Sequence, residues 1–235
     1  EEAFDATWSD VGYLEDSTIN RQIYQEYPQL YGFNEGLCAV KLDDKWAYIN
    51  TMGEVVIPAS GDIANDGFDV AWSFSEGLAK VRNSSGKYAY IDTSGEIVIP
   101  WATYYETYGS SDEFHNELPG DFHNGHALVR NPSSPYQYGY INRTGMFLGF
   151  LYQDAGPYNE GLAYVQELGA SGKYYYIDTA GEIAIPLSSD PADGFAQAET
   201  FSEGRAIVYN DALDLRCYID TKGNAVTDYV GFHMG

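Results

Sequence analysis

Basic residues are scarce in this sequence. Twelve lysines and arginines face 35 aspartates and glutamates across 235 residues, a formal charge of −23 at pH 7. Phosphate backbones and anionic headgroups repel such a surface, which argues against nucleic acid and against direct binding to an anionic membrane. Cysteine is rarer still: Cys38 and Cys217 cannot build a disulfide framework. No apolar run approaches the ~18 residues of a membrane helix, and no helix-length amphipathic pattern occurs. The chain starts at Glu1-Glu2 with neither a methionine nor a signal peptide. A processed, exported protein, extracellular or at the cell surface, is therefore the expectation.

Tyrosine, by contrast, is abundant, with 22 residues, and the apolar fraction of 44% is enough for a packed core. A ring with a polar tip suits half-buried strand faces and contact surfaces. The tyrosines belong to a tandem repeat, the dominant feature of the chain. Five copies align over residues 33–58, 74–100, 122–150, 158–186 and 201–227. Copy one reads Phe33-Asn-Glu-Gly-Leu-Cys-Ala-Val40, Lys45-Trp-Ala-Tyr-Ile-Asn-Thr-Met-Gly53 and Glu54-Val-Val-Ile-Pro58. Copy two reads Phe74-Ser-Glu-Gly-Leu-Ala-Lys-Val81, Lys87-Tyr-Ala-Tyr-Ile-Asp-Thr-Ser-Gly95 and Glu96-Ile-Val-Ile-Pro100. The lead glycines Gly36, Gly77, Gly125, Gly161 and Gly204 lie 41, 48, 36 and 43 residues apart. The third copy is the most degenerate, and a partial copy is visible at 8–27, around Gly12-Tyr-Leu-Glu-Asp-Ser.

Each copy reads as three strands. In segment one a small residue (Cys38, Ala79, Ala127, Ala163, Ala206) and a valine share a face, while Lys80 and Arg205 mark a half-exposed strand. Segment two carries large residues on both faces, Tyr48-Ile49 and its equivalents, and is read as the central strand. Segment three is rich in valine and isoleucine and usually ends at proline, which cannot donate to a ladder. Between segments two and three stands Asp/Asn-x-x-Gly. Its carboxylate or amide accepts a backbone N–H two residues on, and the glycine supplies the positive φ of a type I turn with a bulge. Asn50, Asp92, Asn142, Asp178 and Asp220 are therefore read as structural.

The frame Phe-x-Glu-Gly-Leu-Ala-x-Val, Lys-Trp/Tyr-x-Tyr-Ile-Asp-x-x-Gly and Val-Ile-Pro resembles the bacterial WG-repeat family over residues 33–227. The eponymous dipeptide is not kept: Trp46-Ala47, Tyr88-Ala89, Tyr138-Gly139, Tyr174-Tyr175 and Arg216-Cys217 occupy its place. The resemblance implies an all-β repeat module, often in exported or surface proteins, with no catalytic residues to transfer. A three-stranded meander cannot bury its own face, so the copies must stack. The expectation is one repeat domain, 1–235, of antiparallel meanders in a propeller-like ring, because repeats of this length match a propeller blade. An open solenoid or superhelical array is the alternative.

Functional residues are sought on the inter-repeat loops. Loops 59–73 and 101–121 hold Trp72, Trp101, Tyr104 and Tyr105 amid carboxylates such as Asp69, Glu106 and Asp112. Aromatics beside carboxylates suit stacking on sugar rings with hydrogen bonds to hydroxyls, and these four are the candidate ligand-binding residues; plugging of the sheet ends is the competing role. The recurring carboxylates Glu35, Glu76, Glu160 and Glu203 follow the repeat, whereas a catalytic pair should break it. His115, His123 and His126 match no metal-ligand spacing, and no Asp-x-Asp-x-Asp calcium loop is present. Both cysteines fall at small-residue positions, where buried free thiols are the plain reading. The sequence thus points to a monomeric, non-catalytic binding or interaction module without cofactor or metal, its ligand a glycan or a protein. A glycan-cleaving hydrolase and a structural spacer are the rival classes.

Overall fold

A computed structural model describes residues 32–42, 44–58, 68–102, 119–130, 137–148, 152–169, 172–186, 194–210 and 215–226. The partial copy at 8–27 lies outside them. All regular structure among the described residues is β, in 16 strands paired antiparallel. The chain divides into two compact units, Glu1–Thr103 and Tyr104–Gly235.

The first unit holds repeats one and two. Strands β1 (Leu37–Leu42), β2 (Lys45–Asn50) and β3 (Val55–Ile57) form one sheet in that order. Strands β4 (Val70–Ser75), β5 (Leu78–Arg82), β6 (Tyr88–Asp92) and β7 (Ile97–Ala102) form the next. Segment two is central in both, as its two large faces require. The all-β tandem meander of the sequence reading is thus the observed unit, with one addition: a fourth strand, β4, precedes segment one of repeat two. The alternation rule missed it because it carries a bulge. Ala71 pairs with Val81 and Phe74 with Ala79, so three steps on β4 oppose two on β5, and the period of two breaks. Trp72 therefore sits in a strand, as does Trp101 on β7, which corrects their assignment to loops.

The second unit holds repeats three to five. Strands β8 (His126–Arg130) and β9 (Tyr138–Asn142) come from repeat three. Strands β10 (Tyr152–Ala155), β11 (Leu162–Glu167), β12 (Tyr174–Asp178) and β13 (Ile183–Ile185) come from repeat four and its approach. They share one six-stranded sheet, joined where Tyr152 on β10 pairs with Tyr138 on β9. Strands β14 (Gln197–Ala198), β15 (Arg205–Asn210) and β16 (Leu215–Asp220) form the last sheet. Like β4, β10 and β14 precede a segment one.

The turns repeat as faithfully as the strands. Asn50, Asp92, Asn142, Asp178 and Asp220 each accept the N–H two residues on, at 2.9–3.0 Å. Each also accepts the N–H four residues on, and Gly53, Gly95, Gly145, Gly181 and Gly223 all have positive φ. Asn83 builds the same turn between β5 and β6. A second recurrent turn escaped the sequence reading. Asn34 and Leu37 exchange both backbone hydrogen bonds across Glu35-Gly36, whose φ values are 54° and 80°, the geometry of a two-residue type I′ hairpin. The same left-handed pair recurs at Glu76-Gly77, Asn124-Gly125, Glu160-Gly161 and Glu203-Gly204. Asn-Gly is the strongest hairpin signal a sequence can carry; read from copy three, it would have located all five.

A non-glycine residue in the left-handed region costs about 1–2 kcal/mol. At Glu35 and Glu160 a carboxylate that reaches the next repeat offsets part of this cost. Glu35 accepts the Gly77 N–H at 2.8 Å, and both Glu160 oxygens accept the Gly204 N–H at 3.0 and 2.9 Å. In repeat three Asn124 does the same for the Gly161 N–H at 3.0 Å. Beneath these bonds the segment-two tyrosine crosses as well. Tyr48 donates to the Trp72 carbonyl, Tyr140 to that of Gly156 and Tyr176 to that of Glu199, at 2.6–2.7 Å. All three rings are at most 2% exposed. Ile57 and Ile185 complete the seams: a Cβ on Gly95 or Gly223 would lie 3.0 or 2.9 Å from the respective Cγ2. Such closeness, together with the positive φ, demands glycine.

Candidate functional site

Most of the recurring polar side chains are spoken for. The Asp/Asn of each segment-two turn binds its own backbone, and Glu35, Asn124 and Glu160 bind the following repeat. The Ser94 hydroxyl and the backbone N–H groups of the turn hold the Asp92 carboxyl below its ordinary range. Hydrogen bonds from Asn224 do the same for Asp220. What remains for function are the side chains that differ from repeat to repeat.

Trp72 and Trp101 are such residues. The bulge in β4 sets Trp72 half-buried, its ring 5.9 Å from that of Tyr88. The Lys80 ammonium stands 4.5 Å over the indole, a cation–π arrangement that allows a lysine to be only 1% exposed. The sequence places Lys80 on a half-exposed strand, whereas the structure buries it with its ammonium over Trp72. Arg205, in the other repeat so read, is exposed. Trp101, on β7, packs partly buried against the core of the first unit, as Ile97 and Trp46 also do. The two tryptophans thus occupy the outer strands of one four-stranded sheet, β4 and β7, with β5 and β6 between them. Tyr104 and Tyr105 lie outside the described residues, as does His115.

The second unit supplies an aromatic and acidic cluster that the sequence reading passed over. Tyr164 on β11 and Tyr174 on β12 are half-buried, with rings 6.0 Å apart and edge to face. The Tyr174 hydroxyl donates to Asp154 on β10 at 2.8 Å. Tyr164 lies over Gly156, where a Cβ would fall 2.2 Å from the ring, so only glycine admits it. Burial, and then the Asp154 charge, push the Tyr164 hydroxyl up to about 12. Burial, followed by the hydrogen bond to Asp154, raises Tyr174 as well. Both therefore remain protonated donors at neutral pH. The signal available in sequence was departure from the copies: position 164 holds Ala39, Lys80, Leu128 and Ile207 elsewhere.

His123 and His126 pair across the hairpin of repeat three. The His126 Nδ1 lies 2.8 Å from the Asn124 carbonyl, and its ring lies 4.8 Å from that of Tyr158. The ring thus does the packing that leucine does in copies one, two and four. Among the described residues no group of three histidines, cysteines or carboxylates is placed to hold a metal ion. Cys38 and Cys217 are buried free thiols, and burial pushes the Cys38 thiol up to about 11.

Residues 20–46, 46–59, 67–88 and 138–169 match the family model described as WG containing repeat. No curated protein matches the chain. Among solved structures it is similar to BamB from Moraxella catarrhalis, at 12% identity and a TM-score of 0.40, covering 85% of this chain and 62% of that one. It is similar also to the WD40 β-propeller domain of Doa1, at 10% identity and a TM-score of 0.37, covering 86% and 69%. A third likeness is to virginiamycin B lyase from Staphylococcus aureus, at 15% identity and a TM-score of 0.37, again covering 86% and 69%. These likenesses are distant, and no residue role is taken from them. Four segments of the chain thus match the WG-repeat family, in agreement with the resemblance carried by the flanking frame of the copies.

Proposed function

We propose that this chain is a non-catalytic interaction module of an exported or cell-surface protein. Its ligand is a glycan or a protein, and the chain is a monomer when dilute. The observation that supports this reading is the fate of the recurring carboxylates. Most of them are held in turns and in bonds between repeats, so the repeat is a scaffold and specificity falls to residues that break it. Trp72, Trp101, Tyr104 and Tyr105 are the candidate contacts, since aromatic faces beside carboxylates fit a sugar ring and its hydroxyls. Tyr164, Tyr174 and Asp154 offer the same chemistry in the second unit.

Screening the purified chain on glycan and peptidoglycan arrays, with a reducing-sugar release assay in parallel, tests the proposal. Retention on an array without release supports it. Release of reducing sugar would replace it with a hydrolase. Silence on every glycan would leave a protein partner or a spacer, which a pull-down with Trp101→Ala as the negative control then separates.

A further inference from the structure

The bonds between repeats have two halves: an acceptor at the left-handed residue of one hairpin and a glycine N–H in the hairpin of the next. Glu35, Asn124 and Glu160 use the acceptor half, and Gly77, Gly161 and Gly204 the donor half. Two halves are left over. Glu203 has the same strained φ, 52°, as its equivalents, yet among the described residues its exposed carboxylate accepts no hydrogen bond. Gly36, exposed and at φ 80°, donates its N–H to no acceptor among them. Backbone strain that persists without its offsetting bond marks a place where the bond is made to something else.

The surroundings of Glu203 agree. Tyr218 is the fifth copy of the tyrosine that is at most 2% exposed in each of the other four repeats, and it is 46% exposed. Val226, on the segment that bridges to β16, is 42% exposed. The fifth repeat therefore displays the acceptor, the ring and the aliphatic edge from which the junctions inside the chain are made. The first repeat displays the matching donor. We propose that the fifth repeat of one copy seats the first repeat of a second copy, with the Glu203 carboxylate accepting the Gly36 N–H of that copy. One chain carries both halves, so the partner with the right chemistry is the chain itself. With −23 on each copy, contact is opposed by long-range repulsion and favoured by salt, which shortens the screening length from about 8 Å at 0.15 M to about 3 Å at 1 M.

Sedimentation velocity of the whole chain over a concentration series, at both salts, tests this. The weight-average coefficient should rise with concentration, and more steeply at 1 M. Glu203→Ala should weaken association about tenfold or more, the loss expected for a hydrogen bond to a charged group. Glu203→Gln, which keeps an acceptor as Asn124 does, should stay within a few-fold of the parent. Glu160→Ala, at an internal junction, should lower the melting temperature and leave association intact. Concentration-independent sedimentation at both salts would overturn the proposal, as would Glu203→Ala associating like the parent. So would a drop in the melting temperature of dilute Glu203→Ala as large as that of Glu160→Ala, since the carboxylate would then be used within its own chain.

Discussion

Replacing Tyr176 by phenylalanine removes one hydroxyl from the seam between repeats four and five and leaves the ring. That ring is fully buried, edge-on to Phe201 at 4.9 Å, and none of its packing need change. The hydroxyl donates to the Glu199 carbonyl at 2.7 Å. A neutral hydrogen bond contributes about 0.5–1.5 kcal/mol net, and the accepting residue, Glu199, is itself exposed. The expected loss is therefore about 1 kcal/mol, or ~2–4 °C in melting temperature for a chain of this size. Tyr218→Phe serves as the matched control, with the same substitution at the equivalent position but on a side chain 46% exposed. Water can replace its bonds, and its cost should stay within about 0.5 kcal/mol. Paired urea titrations followed by fluorescence and circular dichroism would measure both. If Tyr176→Phe costs no more than Tyr218→Phe, the hydroxyl does not hold the seam, and the argument that these tyrosines join successive repeats falls.

Three further outcomes follow from the geometry. Asp92 is held below its ordinary 3.8 by Ser94 and the turn N–H groups. Its contribution is therefore complete above the unfolded value and is lost as pH falls through the lower folded one. Asp92→Asn, which reproduces the turn that Asn50 and Asn142 already build, should flatten acid unfolding below about pH 4 while matching the parent at pH 7. Trp101→Ala should lower the melting temperature, because the indole packs on the core of the first unit; an array ligand retained at unchanged affinity by that mutant would strike Trp101 from the binding surface. Cys38, with its thiol raised to about 11 by burial, should react with a thiol reagent at pH 8 only at the rate at which the chain opens, and stoichiometric labelling within seconds would refute its burial.

The strands and segment-two turns were legible because they rest on local rules. A period of two, a doubly apolar central strand and an Asx turn closed by glycine need no knowledge of what lies opposite. The fourth strand was not legible because its bulge moves Phe74 out of phase with Ala71. A repeated Asp-Gly-Phe, at 66–68 and again at 193–195, marked the approach to it. There the lack of a side chain on Gly194 admits the Tyr174 carbonyl, 2.3 Å from where a Cβ would stand. The role of Glu35 and Glu160 was half legible. Their recurrence argued against catalysis, but a carboxylate that binds the hairpin of the next repeat leaves no local trace. Lys80 was misplaced for a related reason: the indole over which its ammonium stands belongs to Trp72, in the approach strand the sequence reading missed. Trp72 and Trp101 were found as departures from the repeat, yet only the fold shows that both help to build a sheet.

The bonds between hairpins bear on how such a gene can change. The donor is a main-chain N–H, which every residue but proline supplies, and the acceptor need only be an amide or carboxylate oxygen on a side chain of fitting length. A junction of that kind does not depend on which repeat follows. Loss or duplication of one whole repeat would put the same acceptor opposite the same donor and leave the seam intact, whereas a deletion that ended mid-repeat would strand one half of it. Residues away from the seam are then free to diverge. Repeat three, with Asn124 in place of glutamate and His126 in place of leucine, has diverged this far while still joining its successor through the Gly161 N–H.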